Sequence, residues 1–403
     1  MEKQSGLQYH LTDLKKVIHR WFYLEDDRMI DIMAAVYIAN RFKADPVWFI
    51  IIAPPSNTKT ELLRSFDGHK NAFFLSNLTP STLVSGKKTK KNPEPSLLPK
   101  LNDKLVVLKD FTTILSTRSE SKQEILAQLR ETYDGQYTKA FGTGKTFNWK
   151  GRFGLIAACT PVYDSHYGVI GSMGERFLLY RSDSLNGQKM GLQAQKIVGQ
   201  EDMMRAEIRE AVHRFIDQFE CLENISFEKN ENVNNMIISL SCFCAYARCP
   251  VERDWHTQHI KYDPMPEGTP RLVKQFMQIG MGLALAYGKN SIDFEVYETV
   301  KKIGRDLIPA QRLKILNHLW NERAFEFSNG WKTTREISEA INRPTTTVKL
   351  LAEDMMVVGV LNRGSKKDGS NIPYTWQLTN QICEWIGQSE LFENEKSANK
   401  GYT

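Results

Sequence analysis

The sequence predicts an α/β core, preceded by helices and followed by a helical region and a small C-terminal domain of helices and strands. Three observations predict it. Short apolar runs at residues 47–52, 105–108, 154–159 and 177–180 alternate with stretches of helical spacing, and such runs, bounded by turn residues, read as buried strands. The first run leads through Pro54-Pro55 into Lys59-Thr60 and then Glu61-Leu62-Leu63, a strand, turn and helix in succession. Beyond Ile308 the pattern changes to helical segments followed by two short strands.

In chain order, Leu14, Val17, Ile18, Trp21 and Phe22 recur at helical spacing, as do Ile30, Ile32, Met33, Ala35 and Val36, and Pro46 ends the block. Residues 1–45 therefore read as N-terminal helices and 46–183 as the core. Phe73-Phe74-Leu75 is a further strand candidate. The basic, Pro-containing run at 87–95 reads as a solvated loop or as a loop contacting DNA. A helix is expected around 122–133. Residues 137–150 read as a β-hairpin turning at Gly142-Thr143-Gly144.

Helices are expected to fill 200–304. In the C-terminal part, residues 311–327 read as one helix. Residues 333–340 make a second, with Thr333 or Thr334 as N-cap, and a third opens at Pro344. Strands at 357–362 and 374–378 flank a basic loop containing Arg363, Lys366 and Lys367, so 307–388 reads as a helix-turn-helix with a β-wing. The polar residues 389–403 are expected to be a disordered tail.

The chain has 403 residues, which calls for more than one compact unit. Its net charge of +6 permits nucleic-acid contact without demanding it. No apolar run reaches the length of a membrane span and no signal-peptide core opens the sequence, so a soluble, cytoplasmic protein with no membrane partner is expected. Cys242, Cys244 and Cys249, with His256 and His259, raise the question of zinc. Residues 236–248 read as one apolar helix, on which Cys242 and Cys244 point about 200° apart, so core thiols are the expected role.

The segment around Lys59 suits an anion. Backbone N–H groups at a helix start face the ligand, Lys adds a point charge, and a Thr hydroxyl can hold Mg²⁺. The pattern G-x-x-x-x-G-K-[ST] is altered, because Ala53 and Thr58 replace both glycines. A second strand ends in Lys109-Asp110, a third in Thr160-Pro161, and Arg176-Phe177 follow.

Taken in that order, residues 45–305 resemble the AAA+ module of hexameric helicases, most closely the minichromosome maintenance (MCM) group and its relatives in bacterial mobile elements. The resemblance implies an α/β P-loop AAA+ ATPase core, a helical lid over 184–306, and a C-terminal winged helix. It implies that Pro55, Ser56, Asn57, Thr58, Lys59 and Thr60 cradle the phosphates of ATP. Mg²⁺ would lie between Thr60 and Asp110. Asp110 falls where the family has its catalytic acid, and Lys109 where it has the preceding one. Thr160 matches the sensor 1 position, Arg176 the finger that acts on a neighbouring subunit, and Arg271 the sensor 2 arginine. The hairpin with Lys139 and Lys145 matches one that tracks DNA inside a ring.

Other readings of these residues stay open. Arg176 also reads as a salt-bridged arginine at a strand entry, Asp110 as a strand-end cap, and Arg271 as a surface residue of the lid. The altered loop fits an active ATPase, an ATP-binding switch or a retired site. In the C-terminal domain, Arg343, Thr345, Thr346, Thr347 and Lys349 suit DNA phosphates, although this fold also docks proteins. The expected function is an ATP-dependent DNA-binding protein, a helicase-like motor or loader. The alternative is a nucleotide-gated DNA adaptor or regulator that does not unwind. Expected partners are DNA, further copies of the chain in a hexamer-like ring or spiral, and accessory replication or recombination proteins.

Overall fold

The structure is a computed structural model and describes residues 9–55, 58–85, 96–142, 144–172, 174–182, 186–220, 222, 225–323, 330–364 and 373–392. The chain divides into two compact units. The first comprises Met1–His166, Met173–Lys229 and Gln278–Val296, and the second Tyr167–Ser172, Asn230–Met277 and Tyr297–Thr403.

In the first unit, β1 (Trp48–Ile52), β2 (Ala72–Leu75) and β3 (Leu105–Leu108) join β6 (Gly154–Cys159) and β7 (Phe177–Arg181) in one parallel sheet, ordered β2-β3-β6-β1-β7. β4 (Gln136–Ala140) and β5 (Thr146–Lys150) pair antiparallel as a separate hairpin. Every residue of β1, β3 and β6 is buried. A parallel sheet covered on both faces explains why these strands are continuously apolar rather than alternating.

Side-chain hydrogen bonds fix where β1 starts. Asn40, just past the helix Arg28–Ala39, donates to the carbonyls of Val36 and Val47 at 2.8 and 2.9 Å and accepts from the Val47 N–H at 2.9 Å. The Trp48 indole donates to the Phe153 carbonyl at 2.8 Å and its ring stacks on Phe153 at 5.2 Å. Within the same unit, Gly282 lets the helix Pro270–Ala286 approach Ala35 closely. A Cβ there would stand 2.5 Å from the Ala35 carbonyl oxygen.

In the second unit the helices Glu231–Ala247 and Asn380–Ser389 pack together, with Ser239 donating to Gln388 at 2.7 Å and Tyr246 against Trp385 at 5.1 Å. Burial pushes the Cys244 thiol up to about 12, and it donates to the Gly304 carbonyl. A small antiparallel sheet places β10 (Thr375–Leu378) between β8 (Lys332–Thr333) and β9 (Leu361–Gly364). The helices Ala310–Glu322, Thr334–Ile341 and Thr345–Val357 belong to the same region. Thr333 is the N-cap, and its reciprocal bonds with Glu336 form a capping box.

Several boundaries differ from the sequence expectation for local reasons. Val357 belongs to a helix, not a strand. Gly359, at φ 80°, closes that helix with Val360 N–H donating to the Met355 carbonyl at 2.8 Å, so β9 begins only at Leu361. The helix expected over 311–327 ends at Glu322. Residues 251–268, inside the stretch expected to be filled by helices, are non-helical, and Pro250, Pro264 and Pro266 punctuate this stretch. The expected loop at 87–95 lies outside the described residues, as does 393–403 of the expected tail; the start of that tail is ordered instead, with Ser389 ending a helix and Leu391 and Phe392 buried.

Candidate functional site

From β1 the chain crosses β6 and β3 to reach β2, whereas from β6 it crosses β1 to reach β7. The two connections leave in opposite directions. With right-handed crossovers they cover opposite faces, which opens a crevice at the carboxyl ends of β1 and β6. The loop after β1 begins there, with the Ala53 N–H donating to the Cys159 carbonyl at 3.1 Å.

The helix Lys59–Arg64 starts immediately beyond this loop. Thr58, at φ −48°, is in the ordinary right-handed region, so the chain turns into the helix without the freedom of glycine. Ser56 and Asn57 lie outside the described residues. Lys59 is buried, and its Nζ donates to the carbonyls of Ala53 and Pro54 at 2.7 and 2.8 Å. Burial lowers its pKa, while the negative charge of Asp110 and the neighbouring Cys159 pull it back up. The ammonium thus rests on its own loop, with a third donor remaining. Thr60 follows Lys59 in the helix and is half-buried, and Pro55 is exposed in the loop.

Asp110 follows β3 and is half-buried. Its Oδ1 accepts from the Thr112 N–H at 2.9 Å. The Thr112 hydroxyl accepts from the Thr160 N–H at 3.1 Å and lies 3.4 Å from the Thr160 hydroxyl. The ends of β3 and β6 are therefore tied together. The hydroxyl of Thr60 and the carboxylate of Asp110 are hard oxygen donors of the kind Mg²⁺ takes. Lys109 is not among the residues around Thr58 and Thr60. It lines a separate cavity with Glu61, Arg64 and Phe74.

A cavity of about 470 Å³ opens beside Thr58, Thr60 and Glu61, walled by Trp21, Phe22 and Tyr23 on one side and Met190, Ala194 and Ile197 on the other. Aromatic and aliphatic walls beside the polar side chains of Thr58, Thr60 and Glu61 suit a planar heterocycle. The sequence reading missed this wall entirely. The helix Gly187–Ile197 carries it, and Gly187, Gly191 and a run of polar residues conceal a weak signal, Met190, Ala194 and Ile197 at i, i+4 and i+7.

The remaining residues singled out in the sequence lie elsewhere. Arg176 precedes β7, at the opposite end of the parallel sheet from Lys59. It is buried and pairs with Asp134 at 2.8 Å, with Tyr133 below it at 5.6 Å. Arg271 belongs to the second unit and pairs with Glu267 at 3.7 Å. Lys139 pairs with Glu124 at 3.2 Å, and Lys145 is exposed in the hairpin turn. Thr346 and Arg343 are exposed at the start of the helix Thr345–Val357. Lys349 and Arg363 both face the Tyr374 ring, at 5.2 and 5.0 Å. Lys366 lies outside the described residues.

One further cluster could present metal ligands: His69, Asp217 and Glu220. His69 Nδ1 accepts from the Asn71 N–H at 3.2 Å, which leaves the proton on Nε2, 3.1 Å from Asp217. Glu220 pairs with Lys70 at 2.6 Å. Hydrogen bonding inside the protein accounts for this cluster.

No protein-family model matches the chain, and no curated protein matches it. Among solved structures, a crystal structure of a "putative ATPase" from Cytophaga hutchinsonii is 13% identical, with a TM-score of 0.43, covering 83% of this chain and 95% of that one. A likeness that loose carries no argument about function. The parallel sheet and its switch point are themselves consistent with a P-loop ATPase-like fold. No helix among the described residues is long and apolar enough to cross a membrane.

Proposed function

We propose that this chain is an ATP-binding protein of the AAA+ type that acts on DNA, resembling the MCM group and its mobile-element relatives. One observation carries the reading. At the carboxyl end of β1, the Nζ of Lys59 sits on the carbonyls of its own loop, within electrostatic reach of Asp110, and a base-sized cavity opens beside Thr60. A triphosphate entering there draws Lys59 off the Ala53 and Pro54 carbonyls, while the helix start supplies N–H groups. Bound Mg²⁺ would add charge neutralisation on the phosphates. In this reading Asp110, whose carboxylate accepts from the Thr112 N–H, orients the attacking water, and its link to Thr160 through Thr112 supports that role.

DNA contact is supported by two features. The helices and three-stranded sheet at 310–378 have the order of a winged helix, with Arg343, Thr346 and Lys349 at one helix start. Lys145 is exposed at the tip of the β4–β5 hairpin. In the motor reading Arg176 leaves Asp134 and reaches the nucleotide of a neighbouring copy.

The second reading, a nucleotide-gated DNA adaptor, is favoured by the internal pairing of Arg176 with Asp134 and by the lysine at position 109. ATP turnover with and without single-stranded DNA, together with unwinding of a forked duplex, separates the two. Turnover stimulated by DNA, with strand separation, supports the motor. Nucleotide-dependent DNA binding without turnover supports the adaptor. Neither activity rejects both.

A further inference from the structure

A second cavity, of about 250 Å³, lies against the helix Lys59–Arg64, and its charged lining is Arg64, Lys109, Arg205 and Arg209 against Glu61 and Asp67. Glu61 borders both this cavity and the one beside Thr60, so it stands between them. Both Glu61 oxygens are already held, Oε1 by Arg64 at 2.9 Å and Oε2 by Arg205 at 2.9 Å. Lys109 and Arg209 have no ion pair among the described residues. Buried Met204 and Ile208 contribute apolar walls, which weakens solvent screening of half-buried Lys109, while Arg209 stays exposed at the rim.

We propose that this cavity is a binding site for a small polyphosphate-type anion of about pyrophosphate size. Unpaired cations in a partly enclosed, partly apolar cavity favour an anion that can accept several N–H bonds at once, and guanidinium groups match phosphate oxygens. The volume is below the usual range of a nucleotide-sized pocket. Lys109 and Asp110 follow β3 in succession; Lys109 lines this cavity, whereas Asp110 acts electrostatically on Lys59.

The test is calorimetric titration with inorganic pyrophosphate at constant ionic strength, in a Lys59→Ala chain so that the loop after β1 contributes little. Saturable binding is expected, weakened about tenfold or more when Lys109→Gln and Arg209→Gln are added. Thermal unfolding of the same variants confirms that they remain folded, and Arg209→Gln alone, at an exposed position, gives a smaller loss in the same direction. No saturable binding overturns the proposal. So does pyrophosphate binding that ignores Lys109 and Arg209. A single-stranded oligonucleotide whose affinity depends on these two residues, when that of pyrophosphate does not, would make the cavity a nucleic-acid contact instead and also overturn it.

Discussion

The Nζ of Lys59 lies 2.7 Å from the carbonyl oxygen of Ala53, so one side chain bridges the end of β1 and the start of the helix that follows. The loop between them is held in shape by the group expected to bind phosphate. Burial lowers the lysine pKa, so in the folded protein the proton is lost at a pH below the ordinary value near 10.5. Between those two values the unfolded chain holds more protons than the folded one, and stability contributed by this group rises with pH. Unfolding measured from pH 8 upward should therefore show the wild type gaining stability relative to Lys59→Met as pH rises. A difference that is flat or of opposite sign contradicts this.

Asp110→Asn should abolish turnover while leaving nucleotide binding within about threefold, because Thr112 N–H can still donate to the amide oxygen. Steady-state ATPase rates paired with binding titrations check it. Retained turnover would remove Asp110 from the chemistry.

Ala194→Trp should fill the cavity walled by Trp21, Tyr23 and Met190. Ala194 is exposed, so folding should survive. Affinity for ATP should fall about tenfold or more, with inorganic triphosphate little affected, since the loss is of apolar contact alone. Equal losses for both ligands would place the base elsewhere.

His213 stacks edge-on against His69 at 5.1 Å, and burial, then the neighbouring His69, lowers its pKa. Its contribution to stability is fully present above the unfolded value near 6.5 and is lost as pH falls to the folded value. The wild type should lose more stability between pH 7.5 and 5.5 than His213→Gln does. Denaturant midpoints at the two pH values test the sign.

Gly282→Ala should destabilise the first unit by about 1–3 kcal/mol, because a Cβ must displace the Ala35 carbonyl and the helix that carries it. An unchanged denaturation midpoint would mean that the helices yield freely.

The sheet was legible in the sequence because strands buried on both faces are continuously apolar, as at 48–52 and 105–108. Lys59, Thr60 and Asp110 were legible because each ends or follows such a strand. The wall formed by Met190, Ala194 and Ile197 was hidden: its helix is Gly-interrupted and mostly polar, and it contributes to the cavity only through tertiary placement. The pairing of Arg176 with Asp134 joins positions 42 residues apart and leaves no local trace. The helix runs on through Val357 and is closed by left-handed Gly359, which outweighed the β-propensity of Val357, Val358 and Val360 and delayed the strand to Leu361.

Nucleotide binding is the claim on which the rest depends. Titration calorimetry with ATP and Mg²⁺ measures it directly, on the wild type and on Lys59→Ala. The account predicts saturable binding at one site per chain, weakened by about 30-fold or more without the ammonium, the worth of a charged hydrogen bond or two. No saturable binding by the wild type, or equal affinity for the two chains, would contradict it.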